Sequence, residues 1–422
     1  MGKLFTSVLN SRLSTFLENY LLLNENQSGF RKGYSTIDSI FVLHILFELL
    51  KMRKKKLFCA FIDFAKAFDT VWRSGLWQKL LENFISGKMY DTIVNMYSNI
   101  KSRIFDGSVF SEYFPCNVGV RQGESLSPLL FSLYINDLEH FLKEQDVEGL
   151  KTVSDDIEIE LDYYLKLFLI LYADDTALLA ESKNDLQKQL DSLYNYCELW
   201  KLKVNVNKSK IVVFSKGRPL SNLEFKYNNT VLEIVNEFTY LGVIFSRTGS
   251  FSKAKKAQTE KATHAMYDVI RKGRKHNLSI ECQLDLFDKI VKPILLYGSE
   301  VWGVGNNSVI ERVHLKFCKI LLNVKKSTPD FMIYGELGRY PLEIDIKLRI
   351  LNYWSKLMCG KQEKLPVILY KYAYKKYGMN IPWLNNIKSI LDSCGLSYVW
   401  NAQYFVSNTW LYHKVKVSVV DQ

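Results

Sequence analysis

The chain has 422 residues, with 56 Lys or Arg against 44 Asp or Glu and a formal net charge of +12. Hydrophobic residues make up 48% and charged residues 24%, as is typical of a globular protein. The positive charge favours nucleic acid, an anionic membrane surface or acidic proteins as partners, without choosing among them. No apolar run approaches the ~20 residues of a membrane span, so we expect no membrane association. The seven Cys form no C-x-x-C pair, which argues against structural zinc and favours reduced thiols in the nucleus or cytoplasm rather than secretion.

The first part of the chain alternates between predicted helices and strands. Residues 1–22 and 37–53 have helical periodicity and flank the polar loop NENQSGFRKGYST (24–36). The segment LFCAFIDFA (57–65) is short, apolar and aromatic, which is typical of a buried strand. Residues 75–101 have a helical pattern. The loop VGVRQGESLSP then leads into one predicted helix, LLFSLYINDLEHFLKE. Pro128 lies near the start of this helix, where its missing N–H costs little.

Further along, LFLILY and TALLAE flank Ala173, Asp174 and Asp175, so two strands joined by a tight polar turn predict a hairpin. Residues 183–203 predict a helix, and KSKIVVFSK and FTYLGVIFS predict strands. From about 252 to 400 the pattern is almost wholly helical. The sequence therefore predicts an α/β (α+β) fold class, with a mixed half, a basic helical half and a change near residue 250.

The neighbouring carboxylates of Asp174 and Asp175 interrupt the most strand-like apolar segment of the chain. If their hairpin lies beside strand 57–65, Asp63 at the end of that strand joins them in one cleft. Mg²⁺ prefers such oxygen ligands, and two ions about 3.5–4 Å apart can activate a hydroxyl and neutralise a leaving group. The alternative is a polar hairpin tip with solvated side chains. A second pair, in VSDDIEIELD, lacks flanking apolar strands and is interpreted as solvated surface.

Five ordered blocks resemble those of reverse transcriptases, most of all the polymerases of invertebrate non-LTR retrotransposons: NQSGFRKGYST, FIDFAKAFDTV, GVRQGESLSPLLF, YADDTALLA and FTYLGVIFS. The resemblance implies a right-hand polymerase fold, with partial fingers and palm in residues 1–250, a basic helical thumb in 251–325 and a helical C-terminal extension in 326–422. It implies an RNA-directed DNA polymerase that uses an RNA template, a DNA primer and dNTPs. Two Mg²⁺ ions, or Mn²⁺ in their place, would be the cofactors. No partner protein is identifiable.

The resemblance also implies roles for single residues around the carboxylates. Asp63, Asp174 and Asp175 match the catalytic metal-binding carboxylates, of which the first two would ligate both ions and Asp175 would support them. Phe68 matches the bulky residue under the incoming sugar, where a ring would clash with a ribose 2′-OH and select deoxynucleotides. The alternative for Phe68 is a core aromatic. Asp69 also matches the family pattern, with an expected hydrogen-bonding role.

Further nucleotide-binding residues are implied by the other blocks. Gln122 and Gly123 match the block that touches nucleotide and template, where Gln can bond sugar or phosphate and Gly allows a close backbone approach. Arg31 is a candidate phosphate contact, with a solvated loop charge as the alternative. Lys208 matches the lysine that protonates the pyrophosphate leaving group, although Lys210 lies close by.

The remaining implied contacts are with the nucleic-acid strands. The sequence YLGV (240–243) resembles the hairpin that contacts the primer end in this family. The implied contact residues are Tyr240, Leu241 and Gly242. The basic helix predicted over 252–277 is the expected thumb, which would contact phosphates through residues that include Lys255, Lys256 and Arg271. A solvated basic helix is the alternative.

Parts of the family pattern are not found in this sequence. The Arg-Pro block of the fingers, an N-terminal endonuclease and a Cys/His cluster are missing, so we expect an N-terminally truncated polymerase. The alternative function is a catalytically inactive nucleic-acid-binding remnant of a mobile element. A third interpretation, a maturase-like splicing partner, agrees less well with the sequences of these motifs.

Overall fold

A computed structural model describes most of the chain, namely residues 2–145, 147, 149–150, 169–218 and 222–421. The chain forms two compact units, Met1–Ser39 with Leu50–Phe238, and Ile40–Leu49 with Thr239–Gln422. Asp155 and Asp156, interpreted above as solvated surface, lie outside the described residues. The predicted domain limits at residues 250 and 325 stay predictions.

The strands are concentrated in the first unit, around one central sheet. Within the described residues they are β1 (Leu57–Ile62), β2 (Lys101–Ser102), β3 (Phe114–Pro115), β4 (Leu169–Tyr172), β5 (Asp175–Ala180), β6 (Lys210–Phe214), β7 (Lys226–Tyr227), β8 (Thr230–Val231), β9 (Glu233–Ile234), β10 (Glu237–Tyr240) and β11 (Val243–Ser246). The central sheet has the order β4-β5-β1-β6-β9. Every residue of β1 is buried, as its continuous apolar run predicts.

Seven helices of the described residues lie in the first half of the chain. They are α1 (Gly2–Asn19), α2 (Thr36–Met52), α3 (Arg73–Glu82), α4 (Gly87–Tyr97), α5 (Ser127–Tyr134), α6 (Leu138–Glu144) and α7 (Lys183–Trp200). Most of α2 belongs to the second unit. Helix α7 begins where the Ser182 hydroxyl accepts a hydrogen bond from the Asp185 N–H at 3.1 Å, a favourable N-cap. Its buried Leu186, Leu190 and Leu193 follow helical spacing and join the core that includes the sheet.

Two of the predicted helices are each divided in the structure. Residues 75–101, for which a helical pattern is predicted, form α3 and α4 with a turn between them, where Phe84 and Gly87 have φ values of 60° and 61°. Such left-handed backbone cannot continue a right-handed helix. The helix predicted after the glycine-containing loop likewise separates into α5 and α6 at Ile135–Asp137. The prediction of one helix after that loop is therefore wrong, whereas the predicted helical pattern of 75–101 corresponds to two helices.

The second unit is mainly helical, as the sequence predicts. Its helices after β11 are α8 (Ser252–Lys275), α9 (Ile280–Leu286), a π-helical turn (Phe287–Val291), α10 (Lys292–Leu295), α11 (Ser299–Trp302), α12 (Ser308–Leu321), α13 (Asp330–Leu337), α14 (Leu342–Met358), α15 (Leu365–Tyr377), a 3₁₀ turn (Gly378–Asn380), α16 (Pro382–Ser393), α17 (Ser397–Ala402) and α18 (Asn408–Asp421). Trp302, Trp354 and Trp383 are at most 1% exposed and anchor its core. The predicted α+β fold class is confirmed. In the part of the chain that is described, no helix has the length and apolarity to cross a membrane.

Candidate active site

The register of the central sheet brings the three predicted carboxylates to one edge. Strands β1 and β5 pair antiparallel with Ile62 opposite Thr176, so Asp63 and Asp175 occupy the next position of each strand. Asp174 lies in the tight turn between β4 and β5, beside Ala173 with φ of 57°. Cross-strand neighbours have Cβ atoms about 5 Å apart, which places these side chains within mutual electrostatic reach. The predicted hairpin and its position beside the Asp63 strand are observed.

The three carboxylates affect one another's ionisation. Desolvation, together with the negative charges of Asp174 and Asp63, raises the pKa of Asp175 to about 6. The pKa of Asp174 is also raised, first by desolvation and then by Asp63, although a hydrogen bond from its own backbone N–H opposes the shift. Asp174 and Asp175 are thus costly to ionise in this setting. The edge carries an excess of negative charge that a bound cation would offset.

The chemistry of these donors fits a hard divalent cation, because all three are carboxylates with oxygen ligands. Across the described residues, however, no group of three acidic, His or Cys side chains is assembled closely enough to hold a metal ion. The raised pKa values of Asp174 and Asp175 show the local negative charge that a divalent cation would offset.

This repulsion predicts a stability gain from Asp175→Asn. The folded-state pKa of Asp175 is above the ordinary value of 3.8, so folding binds extra protons between about pH 4 and 6. Its contribution to stability therefore falls as pH rises through that window and is fully lost above it. At pH 8 in EDTA we expect the melting temperature of Asp175→Asn to rise by about 2 °C, and the difference to vanish near pH 4. Calorimetry at both pH values measures this; an equal shift at both would contradict it.

The end of β1 is held by its neighbour in the sheet. The Asp63 N–H donates to the hydroxyl of the fully buried Ser209 at 3.1 Å, and the Asp63 carbonyl accepts from the Asn205 N–H at 2.7 Å. Both partners belong to the segment before β6. The backbone of Asp63 is therefore fixed on two sides, and its half-buried side chain is left at the sheet edge.

A loop near the N-terminus clamps the turn that carries the Asp pair, which sequence reasoning missed. The buried Gln27 side-chain oxygen accepts hydrogen bonds from the Ala173 N–H at 3.1 Å and the Gly29 N–H at 3.0 Å. Backbone bonds from Ser28 to Leu171 at 2.9 Å continue the contact. A Cβ on Gly29 would lie 2.3 Å from the Ala173 nitrogen, so only glycine fits. The block NQSGF is the sequence signal that could have suggested this role.

The predicted nucleotide contacts lie together in the same unit. The exposed Gln122 donates from Nε2 to Asp69 Oδ1 at 2.8 Å, which supports the expected hydrogen-bonding role of Asp69. Gly123 is exposed with φ of 80°, a conformation that favours glycine. Phe68 is half-buried and stacks on Phe131 with ring centroids 5.1 Å apart. One side of the ring is thus supported by the core, while part of it stays accessible.

Arg73 fixes the segment that leads to Gln122, a role that no sequence pattern indicates. Its guanidinium donates to four backbone carbonyls, those of Gly119 at 2.9 Å, Tyr97 at 3.1 Å, Cys116 at 2.7 Å and Val118 at 3.1 Å. A planar fork with several donors suits such a role. Arg73 therefore sets the approach of this loop towards Asp69.

Arg31 occupies an internal position that differs from both alternatives considered for it. It is 7% exposed, and its guanidinium donates to Glu18 at 2.8 and 3.0 Å and to the carbonyls of Asn24 and Gln27 at 2.9 and 3.0 Å. A buried charge needs such partners. This geometry gives Arg31 the task of organising the loop that clamps the Asp turn, in place of the expected phosphate contact.

Lys208 and Lys210 differ in the structure, although the sequence left both as candidates for the proton donor. Lys210 Nζ is engaged by Glu233 at 2.7 Å and by the Asn207 carbonyl at 2.6 Å. Lys208 is exposed and forms no side-chain ion pair within the described residues. The structure therefore favours Lys208 as the lysine that is free to reach a ligand.

The predicted primer-contacting residues form the turn of the β10–β11 hairpin. Leu241 and Gly242 both have positive φ, 46° and 80°, as in the two-residue turns that join antiparallel strands. The Leu241 carbonyl accepts from the Tyr297 hydroxyl at 2.9 Å. Tyr240 is only 2% exposed, so its side chain belongs to the core. Any ligand contact of this block must come from the turn itself.

The three basic residues predicted on α8 have different environments. Lys255 is 8% exposed and its ammonium donates to the Val304 and Asn306 carbonyls, both at 3.0 Å, so the expected phosphate contact is replaced by a structural one. Arg271 is exposed but paired with Asp268 at 2.6 Å. Lys256 is exposed, with its nearest carboxylate 4.0 Å away. Of the three, Lys256 is the most available to a ligand.

Comparison with known proteins identifies a family that matches the first 245 residues of the chain. The family described as "Reverse transcriptase (RNA-dependent DNA polymerase)" matches residues 1–245. The chain is 27% identical to the "Probable RNA-directed DNA polymerase from transposon BS" of Drosophila melanogaster, over 75% of this chain and 34% of that one. It is 25% identical to the "RNA-directed DNA polymerase from mobile element jockey" of the same species, over 80% and 36%. The chain thus spans about a third of the length of these relatives.

Solved structures give a more distant likeness. A telomerase of Candida albicans in complex with a telomeric RNA fragment has 14% identity and a TM-score of 0.41, over 97% of this chain and 58% of that one. Telomerase from Candida tropicalis without RNA has 13% identity and a TM-score of 0.41, over 90% and 61%.

Proposed function

The chain belongs to the reverse transcriptase family, and from this premise we propose that it is an RNA-directed DNA polymerase core of a non-LTR retrotransposon. The supporting observation is the sheet register that brings Asp63, Asp174 and Asp175 to one edge inside the matched segment. The proposed reaction is attack of a primer 3′-OH on the α-phosphate of a dNTP, templated by RNA, with release of pyrophosphate. Such a reaction depends mainly on positioning and charge neutralisation.

The carboxylates would hold the divalent ions that this chemistry requires. Asp63 and Asp174 are the proposed ligands of two Mg²⁺ ions, or of Mn²⁺, and Asp175 is the supporting carboxylate. Bound there, the ions would activate the attacking hydroxyl and neutralise charge on the leaving oxygen. The excess negative charge of the edge, seen in the raised pKa values of Asp174 and Asp175, supports cation binding.

Other residues of the first unit would position the nucleotide and move a proton. The accessible part of the Phe68 ring would lie under the sugar and exclude a ribose 2′-OH, with Phe131 supporting its other side. Gln122, oriented by Asp69, would bond the nucleotide, and Gly123 would allow its close approach. Lys208 would donate a proton to the departing pyrophosphate from its Nζ atom.

The second unit would hold the nucleic acid. We propose that residues 251–325 act as the thumb, that the turn at Leu241 and Gly242 meets the primer end, and that Lys256 contacts phosphate. Residues 326–422 are the proposed C-terminal extension. The template is RNA, the primer is DNA, and the site of action is the nucleus or the cytoplasm.

A primer-extension assay tests this function directly. The purified chain is mixed with oligo(dT) annealed to poly(rA), dTTP and Mg²⁺, and extended products are separated by length. We expect extension with Mg²⁺ and none in EDTA, and we expect UTP to replace dTTP poorly until Phe68 is changed to Ala.

A nucleic-acid-binding remnant is the second candidate, supported by the net charge of +12, which favours a polyanionic partner whether or not the chain is catalytic. It predicts salt-sensitive binding of the same primer–template with no extension at any Mg²⁺ or Mn²⁺ concentration. That result with folded protein would reject the polymerase proposal.

A further inference from the structure

A basic groove lies in the second unit, where the last turn of α8 meets α12 and the loop that follows it. Its volume is about 660 Å³, within the range of protein ligand sites. Five cationic side chains line it against one carboxylate, namely Arg274, Arg312, Lys316, Lys319, Lys326 and Asp330. These residues come from two stretches of the sequence, Arg274 and 312–330, so the pattern along the chain did not reveal the groove.

Most of these cations have no acidic partner. Lys319 is the exception, since its Nζ pairs with Asp330 at 2.8 Å and donates to the Lys326 carbonyl at 2.9 Å, which fixes the loop after α12. In the part of the chain that the structure describes, the side chains of Arg274, Arg312 and Lys326 form no ion pair. They are exposed to solvent. The groove therefore presents an uncompensated positive charge that suits a polyanion.

The groove also has apolar and aromatic surface, which a site for simple anions would not need. Leu315, Ile320 and Val324 line it between the cations. At its border the Lys316 ammonium lies 5.0 Å from the ring centroid of Tyr267, whose side chain is 46% exposed. Basic side chains beside an exposed aromatic ring are the surface on which unpaired bases stack while their phosphates are neutralised.

We propose that this groove binds an unpaired strand of nucleic acid. Arg274, Arg312 and Lys316 contact successive phosphates, and a base stacks on Tyr267. An unpaired strand fits better than a duplex, because the bases of a duplex stack on each other and leave Tyr267 without a partner. RNA and DNA share this chemistry. The inference deepens the proposed function and rests on it only for the source of the strand, which would be template or product outside the paired region.

Binding of short oligonucleotides tests the groove without catalysis. Fluorescein-labelled 12-mers of uridine and of thymidine are titrated with the full chain in EDTA, without dNTPs, and anisotropy is recorded from 50 to 200 mM salt. Combined Arg312→Gln and Lys316→Gln should weaken binding of at least one 12-mer about tenfold and make the salt slope shallower by about 1.4, since each single-strand phosphate contact contributes about 0.7. The comparison of uridine with thymidine shows which strand is preferred.

A matched control separates the groove from general charge effects. Combined Lys183→Gln and Lys188→Gln removes two exposed lysines of α7 in the first unit and should change binding less than twofold. Thermal melting confirms that both double variants are folded. Equal weakening by the two pairs would overturn the proposal, because binding would then follow net charge alone.

Tyr267 supplies a second, independent test of the unpaired strand. Tyr267→Ala should weaken binding of the 12-mer about fivefold, and Tyr267→Phe should retain it, because stacking needs only the ring. The assignment would be overturned if a blunt 12-base-pair duplex bound more tightly than the 12-mers and lost affinity in the Arg312→Gln, Lys316→Gln variant. Complete displacement of the 12-mer by polyglutamate at equal charge would also overturn it. Because no metal or dNTP is present, absence of polymerase activity would leave these results interpretable.

Discussion

Asp174→Asn is expected to reduce Mg²⁺-dependent nucleotide incorporation by at least about 10³-fold while the protein stays folded. The amide has nearly the same shape as the carboxylate but no charge, so it cannot hold a divalent ion in the same way. It also removes a repulsive neighbour of Asp175, because the charge of Asp174 contributes to the raised pKa of that carboxyl. Folding should therefore be unharmed or slightly favoured. Single-turnover primer extension with saturating dTTP measures the loss.

The matched control is Asp91→Asn, an identical change at an exposed position on α4. It should keep incorporation within twofold of the unchanged chain. Substantial Mg²⁺-dependent incorporation by pure Asp174→Asn would remove Asp174 from the catalytic assignment.

Gly29→Ala is expected to reduce the rate of incorporation about 100-fold, although residue 29 would touch neither substrate nor metal. The new Cβ would lie 2.3 Å from the Ala173 nitrogen and 2.9 Å from the Tyr172 carbonyl carbon, both of them backbone atoms. The turn that carries Asp174 must then move, and a displacement of about 1 Å at a reacting centre can cost about 10²-fold. We expect Gly29→Ala to lower the maximal incorporation rate and to leave the dTTP concentration at half-maximal rate nearly unchanged.

The control for Gly29→Ala is Gly217→Ala, where an added Cβ meets no atom within 4 Å. Should Gly29→Ala fail to fold, Gln27→Met provides the same test more gently. It keeps the volume of the side chain but removes the acceptor of the Ala173 and Gly29 N–H groups. Unchanged rates in a folded clamp variant would show that this loop does not position the Asp turn.

The fold class and the carboxylate edge could be predicted because their signals are local. One apolar run of strand length precedes Asp63, and two more flank the polar turn that holds Asp174 and Asp175. These runs are visible without any tertiary information. Helix breaks were harder to place. The division between α3 and α4 depends on left-handed backbone at Phe84, a residue type that rarely adopts it, and only Gly87 gave a local hint.

Contacts between distant residues could not be predicted from local patterns. Arg31 was expected to face a ligand, but its carboxylate partner Glu18 lies on α1, and Lys255 is capped by carbonyls about 50 residues later in the chain. The same limit hid Gln27, whose acceptor oxygen meets the N–H of Ala173, 146 residues away. In each case the partner is set by the tertiary fold: a carboxylate for Arg31, backbone carbonyls for Lys255 and a backbone N–H for the Gln27 oxygen.

A double-mutant cycle on Asp63 and Asp174 tests most directly whether the sheet edge acts as one catalytic centre. Incorporation rates on poly(rA)/oligo(dT) with Mg²⁺ are measured for the unchanged chain, Asp63→Asn, Asp174→Asn and the combined variant. Residues that act as a unit have strongly non-additive effects. We predict that each single change costs at least about 10³-fold and that the double change costs scarcely more. A loss in the combined variant equal to the product of the two single losses would contradict a shared metal-dependent centre at this edge. Single variants that keep most of the activity would contradict it as well.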